Sequence, residues 1–258
     1  MVPLLPPYCP RTPAVETIWV IVPFSRPEQL SFVVDNFTRQ RFPGKKLCLV
    51  ENGRAVGACT QYNVQPDLLL TSEQHQAIAK NTALAEIRAR GGGFFAAWDD
   101  DDWYGPEYLA ELAGAARDAE LVGKNAHFVD VGGDMLLCHR DRIGYEAPYL
   151  AGSGLAGFAE AVGFYPVQRV SEDIDFCLRL RSEGARILNL SPYHYLVRRY
   201  YEGARHTWSI AQANYLLEQR GAWALSLGPP DEAIVTGERP ITRTRLIGER
   251  EFRPYPSG

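Results

Sequence analysis

The sequence predicts an α/β fold: a mostly parallel central sheet with helices on both faces and a small antiparallel edge. Three observations carry this. Over the first 120 residues short β-rich apolar runs alternate with helical periodicities, the pattern of a covered parallel sheet. At 258 residues with 46% hydrophobic content the chain can bury one sizeable core, or a core plus a small appendage. Around Gly132 and Gly133 two short apolar stretches adjoin a glycine pair, as antiparallel strands at a sheet edge do.

The elements follow in order. TIWVIVP, residues 17–23, is an apolar β-rich run closed by a proline. SRPE follows, with Ser25 and Glu28 at capping-box spacing and Pro27 suited to a first turn, before Leu30, Val33, Val34 and Phe37 repeat on one helical face. KLCLVEN, residues 46–52, is a second strand ending on Glu51 and Asn52, and the Ala-rich segment 73–90 is helical. Gly91, Gly92 and Gly93 stop that helix, FFAAW is a third strand, and Pro106 opens a helix through Glu120. A loop rich in Gly, Ala and Tyr spans 145–164. SEDIDFCLRLRSEGARILNL then reads as loop, helix with Phe176 and Leu180 inward, Gly184 as terminator and a strand over 186–190. One more helix is expected over 206–219. Residues 1–16, with five prolines, form a flexible arm rather than a signal peptide, and 228–258 form a tail or lid. Between them, residues 17–227 are expected to form a single domain with two parts, 17–125 and 126–227.

Charge and cysteine usage narrow the function classes. Twenty-seven basic against 31 acidic residues, with no basic block longer than Lys45-Lys46 or Arg198-Arg199, disfavour nucleic acid as main partner. No run of 18 apolar residues exists, so no membrane span is expected, while peripheral attachment stays open. The five scattered cysteines lack metal-ligand spacing and suit a reducing, cytoplasmic setting.

The chemistry is concentrated in FFAAWDDDDWYGPEYL, where Asp99 to Asp102 follow an apolar strand. Ligands of such sheets bind outside the carboxyl ends of the strands. Packed carboxylates raise one another's pKa unless a cation offsets them, and a hard divalent cation with oxygen ligands is the economical partner. A solvated turn capping the helix at Pro106 would also account for four acids. A calcium loop fails, because Trp103 falls where the third oxygen donor belongs. An aspartate phosphoryl-transfer enzyme, with Asp99 as nucleophile, would use the earliest strand, and VIVPFS does not match. A metal clamp on a nucleotide diphosphate is the third reading.

Four segments taken together, VIVPFSRPEQL, AKNTALAEIRARGGGFFAAWDDDDW, VGGDMLLCHRD and SEDIDFCLRLRSEG, make the chain resemble a family 2 glycosyltransferase over residues 17–210. That resemblance implies a GT-A fold with a Rossmann-like sheet, a nucleotide-sugar donor (most commonly UDP), and manganese or magnesium. Asp101 matches the direct metal ligand of the DxD motif, and Asp99 matches the residue that touches the ribose or the metal through water. Asp100 lies between them in the donor site, and Asp102 matches an adjacent extra acid. Pro23 and Arg26 are placed near base and ribose, and Glu51 stands where the family often has an Asp that reads the base. Lys80 and Asn81 match an Arg-Asn pair, with the bidentate fork lost. Asp134 falls where donor sugar and acceptor meet. Asp173, beside Glu172, matches the catalytic base, which would take the acceptor's proton in a single, inverting displacement. Acids at a helix start also have a purely dipolar explanation. His206 is implied as a third metal ligand or phosphate contact, with Arg205 sharing the task; a structural histidine is the competing reading.

Several aromatic and loop residues complete the reading. Trp98 and His194 read as core packing, Trp103 as a lining of the acceptor side, and YLAGSGLAGF, residues 149–158, as a mobile cover over the acceptor. Arg198 and Arg199 face either the pocket or solvent. The acceptor, whether carbohydrate, lipid, peptide or small molecule, is not specified by any motif, nor is an oligomeric state. A nucleotidyltransferase, a phosphatase-like enzyme and a non-catalytic binding module on the same fold are the rival classes.

Overall fold

In a computed structural model of the chain, residues 15–73, 75–131, 134–139, 146–167, 172–199, 223–241 and 245–247 are described. The expected α/β architecture is present. β1 (Ile18–Phe24), β2 (Lys45–Asn52), β3 (Leu68–Ser72) and β4 (Phe94–Ala97) run parallel. They belong to a seven-stranded sheet of order β10-β6-β9-β4-β1-β2-β3, completed by β6 (Leu121–Gly123), β9 (Leu155–Phe158) and β10 (Ile187–Asn189). Because both faces are covered, β1 is buried at every position and its residues split between two cores. Ile18, Val20, Val22 and Phe24 point to the side of α1 (Leu30–Arg39) and α4 (Tyr108–Ala115). Trp19 and Ile21 point to α3 (Gln76–Ala89) and α6 (Glu172–Ser182).

The loop expected to be mobile over 149–158 is not one. Its second half is β9, which lies antiparallel between β4 and β6 inside the sheet. The glycines that suggested mobility permit close approach. A Cβ on Gly157 would stand 2.7 Å from the Glu120 carbonyl oxygen, and one on Gly123 would stand 2.1 Å from that of Gly154. The Ser25–Glu28 capping box is also absent. Arg26 is the N-cap of a 3₁₀ turn, Pro27–Gln29, with no side-chain cap, and Glu28 turns outward to Arg54 at 3.4 Å.

β7 (His127–Val131) and β8 (Asp134–His139) pair antiparallel as expected, but not at the edge of the first sheet. They occupy the middle of a second, six-stranded sheet, β13-β12-β8-β7-β11-β5. Its other strands are β5 (Trp103–Tyr104), β11 (Tyr195–Arg199), β12 (Trp223–Ser226) and β13 (Arg245–Ile247). The cause is a separate small core in which Phe128, Met135 and Leu137 pack with Tyr193, Val235 and Ile241. Two of those partners lie in the segment 228–258, where α7 (Glu232–Val235) is capped by the Asp231 carboxylate accepting from the Ala233 N–H.

One buried ion pair fixes the geometry beneath the site. Lys124, fully buried, pairs through Nζ with Glu111 of α4 and donates to the Tyr193 carbonyl at 3.1 Å. Its backbone N–H donates to the Gly154 carbonyl and its carbonyl accepts from the Ala151 N–H, each at 2.9 Å. The turn 151–154 is therefore held at both ends by one residue.

Candidate active site

β1, β2 and β4 end on the same side of the sheet, and the four aspartates continue from β4. The turn is not solvated: Asp100, Asp101 and Asp102 are all buried. Arg26, arriving from the end of β1, pairs with Asp100 and lies 3.0 Å from Asp101. Burial opposes the Arg26 charge, but the two carboxylates override it and raise its pKa. Burial likewise pushes Asp100 up to about 6, against the opposing Arg26 and with Asp101 and Asp99 adding to the rise. Asp99 accepts from Gln76 Nε2 of α3 at 2.7 Å. Arg198 of β11, its guanidinium 4.6 Å from the Phe32 ring centre, adds a half-buried cation in electrostatic contact with Asp101, Asp102 and Asp130.

Asp102 differs from its neighbours. Fully buried, it accepts from Ser153 Oγ at 3.0 Å and Tyr195 OH at 2.9 Å through one oxygen, and from the Arg198 N–H at 3.2 Å through the other. It thereby ties the aspartate turn to the 151–154 turn and to the second sheet. Tyr104 closes the same knot: its hydroxyl accepts from the Asp99 N–H at 2.8 Å and donates to the Ser153 carbonyl at 3.0 Å, while its ring stacks on Trp98 at 4.1 Å. Asp102→Ala is expected to destabilise the fold by about 1–3 kcal/mol for each buried donor left unpaired. Urea unfolding of the variant measures this.

Glu172 and Asp173 begin α6. Gly152 abuts Asp173: a Cβ there would lie 2.9 Å from its Cβ and 3.0 Å from its Oδ2. Consecutive residues, Gly152 and Ser153, thus touch the two acidic centres, which the sequence separates by some 70 positions. Burial raises the Asp173 pKa, Glu172 raises it further, and Lys80 opposes both. Gly152→Ala is expected to leave the circular dichroism spectrum unchanged while pushing Asp173 aside, which a changed carbon-13 shift of its carboxyl would report.

The remaining sequence-predicted residues divide. Pro23 is buried at the end of β1, opposite Val50. Glu51 spends both oxygens on the chain itself, accepting from the Gly57 N–H at 2.7 Å and the Cys59 N–H at 2.8 Å at the start of α2 (Ala58–Gln61). Beside it the Asn52 Oδ1 is buried with no hydrogen-bond partner among the described residues. Lys80 and Asn81 on α3 contact Glu172 of α6 and Tyr165. Asp134 is the first residue of β8, paired with Val131; Arg205 and His206, with the helix expected over 206–219, lie outside the described residues. Trp98 and His194 are buried as expected, whereas Trp103 packs on the small core with Arg39 5.4 Å from its ring centre. Sequence reasoning missed Gln76, Gly152, Ser153 and left Arg198 undecided. Gln76 had a signal, standing one helical turn before Lys80.

Among the described residues no three His, Cys, Asp or Glu side chains converge as a metal cluster. Magnesium-type sites need only one or two carboxylates, with substrate phosphates and water completing the shell, and the all-oxygen pair Asp99 and Asp101 fits that chemistry. No described helix is long and apolar enough to cross a membrane.

No protein-family model matches the chain, and a search of curated proteins finds no match. Solved structures do match. The chain is similar to a mannosyltransferase, PcManGT from Pyrobaculum calidifontis, in complex with GDP-Man and Mn2+, at 19% identity and TM-score 0.56 over 81% of this chain and 64% of that one. It is similar to S. aureus TarS 1–349 in complex with UDP-GlcNAc, at 17% identity and TM-score 0.55 over 73% of this chain and 60% of that one. The chain spans less than two thirds of the length of either. At these identities the likeness establishes the fold: this α/β chain shares the architecture of those two nucleotide-sugar complexes.

Proposed function

We propose that the protein is a glycosyltransferase of the family 2, GT-A type, moving a sugar from a nucleotide-diphosphate sugar, UDP-sugar foremost, to an acceptor hydroxyl with inversion. The observation that carries this is the Gly152-Ser153 turn, which brings Asp173 and the Asp99–Asp102 turn to one wall at the carboxyl ends of the parallel strands. Transfer needs two features: a countercharge for the departing diphosphate and a base for the incoming hydroxyl. Asp99 and Asp101 would hold a divalent cation, manganese or magnesium, which supplies that countercharge when bound. Arg26 holds Asp100 and Asp101 in place, and Pro23 and Glu51 shape the floor under the nucleotide. Asp173, with Glu172 beside it, accepts the proton of the acceptor hydroxyl as the new bond forms. Asp134 as a sugar contact, Arg205 as a phosphate contact and His206 as a third metal ligand belong to the same proposal. The donors bound by the two similar structures, GDP-Man and UDP-GlcNAc, support the donor class. A reducing, cytoplasmic setting is supported by the buried thiols of Cys48, Cys59 and Cys177.

The test is a panel of nucleotide sugars incubated with the protein and manganese, with released nucleoside diphosphate as readout. Release from one donor, with inverted anomeric configuration in the product by NMR, is expected. Release of inorganic phosphate from simple phosphate esters, with none of the nucleotide sugars turned over, would replace this reading with the phosphatase-like one.

A further inference from the structure

The sequence motif aligns Lys80 and Asn81 with a pair expected at the donor; in the structure both side chains contact Tyr165, and Lys80 also lies beside Glu172. Lys80 is 1% exposed, its Nζ 3.5 Å from Glu172 Oε1 and 5.1 Å from the Tyr165 ring centre. Asn81 grips the backbone of the same tyrosine on both sides, its Oδ1 accepting from the Tyr165 N–H at 2.7 Å and its Nδ2 donating to the Tyr165 carbonyl at 2.8 Å. The Tyr165 ring in turn stacks on Phe176 of α6, with centroids 4.1 Å apart and planes 11° from parallel. A continuous chain of contacts therefore runs from two adjacent residues of α3, through Tyr165, to the helix whose first residues are Glu172 and Asp173.

We infer that Lys80 and Asn81 are positioning residues for the acidic pair at the start of α6, fixing that helix end and supplying the buried positive charge beside it, rather than contacts to the donor diphosphate. The inference rests on Asp173 acting as the base. Two adjacent carboxylates at a helix start repel each other, and burial disfavours the charged form of Asp173. A buried ammonium beside them offsets this, whereas one turned toward the diphosphate would leave the pair uncompensated. The direction of the Asp173 pKa follows the same logic: burial raises it first, Glu172 adds to the rise and Lys80 opposes it. Tyr165 and Cys177, which interact electrostatically with Asp173, are held protonated by burial and contribute no cation. Among the described residues, Lys80 is the cation whose charge acts on Asp173.

The test is a carbon-13 NMR titration of the Asp173 carboxyl in the native protein, Lys80→Met and Lys80→Arg, with nucleoside diphosphate affinity measured by calorimetry on the same samples. Lys80→Met should move the Asp173 midpoint up by roughly one pH unit, a tenfold loss of acidity, with Lys80→Arg recovering most of it. Diphosphate affinity should stay unchanged in both. A tenfold loss of diphosphate affinity in Lys80→Met with an unmoved Asp173 midpoint would overturn the inference and return Lys80 to the donor. Should Lys80→Met fail to fold, Lys80→Gln reads the same coupling: the Asp173 midpoint should rise as the charge is lost while a polar side chain is kept, and an unmoved midpoint would refute it. The titration requires neither donor nor turnover. It is therefore decided even if no nucleotide sugar is used, in which case the glycosyltransferase reading fails and the positioning of Asp173 by Lys80 does not.

Discussion

Asp173→Asn is expected to lower kcat by about 10²–10⁴-fold, the range that general base catalysis supplies, with nucleotide affinity little changed. The asparagine keeps the size and hydrogen-bonding shape of the side chain against Gly152 but accepts no proton. The pH profile of the native enzyme is the companion result. As the proposed base Asp173 must be ionised to act, and its pKa is raised because burial and Glu172 outweigh Lys80. Activity should therefore fall on the acid side at a pH above about 4, where a solvent-exposed aspartate would titrate. The stability effect has the opposite sense. A carboxyl whose folded pKa is raised contributes stability below its unfolded pKa, and that contribution is lost as pH rises through the folded value. At neutral pH Asp173→Asn should consequently be as stable as the native protein or more so. A variant that lost activity through unfolding would show the reverse in a thermal melt.

Asp101→Asn is expected to lower kcat/KM by roughly 10²–10³-fold, the scale of removing one preorganised electrostatic stabiliser from a reacting centre. The fold should survive, because Arg26 retains its pairing with Asp100 and the knot around Asp102 does not involve Asp101. The contrast with Asp102→Ala separates the two roles: Asp101 should cost activity without stability, and Asp102 stability first. Steady-state kinetics beside urea unfolding of both variants reads this directly.

The parallel half of the fold was legible because its strands are long, apolar runs separated by clear helical periodicity, as in TIWVIVP and the segment after Pro27. What escaped was short or defined by contacts distant in sequence. LLLTS, which forms β3, and LVG, which forms β6, carry too few residues for a periodicity to register. β9 was mistaken for a mobile loop because its glycines signal flexibility locally, and only the neighbouring strands reveal that they serve close approach. The two acidic centres were likewise legible as motifs. Their juxtaposition was not, since it depends on the Gly152-Ser153 turn and on Lys124, just past the end of β6, holding that turn from some 30 residues away. Individual roles were least legible. Nothing in VEN distinguishes a glutamate that reads a base from one that accepts two amide N–H groups of its own chain, as Glu51 does. The aspartate run hid a similar division of labour, in which Asp102 binds structure together while Asp100 and Asp101 share Arg26.

The central claim is that the carboxyl ends of β1, β2 and β4 receive a nucleoside diphosphate together with a divalent cation. Calorimetric titration of the native protein with UDP, GDP, CDP and dTDP, with and without manganese, tests it most directly. The account predicts binding of one of the four that requires manganese and disappears in Asp101→Asn. Failure of all four to bind the folded native protein in the presence of manganese would contradict it.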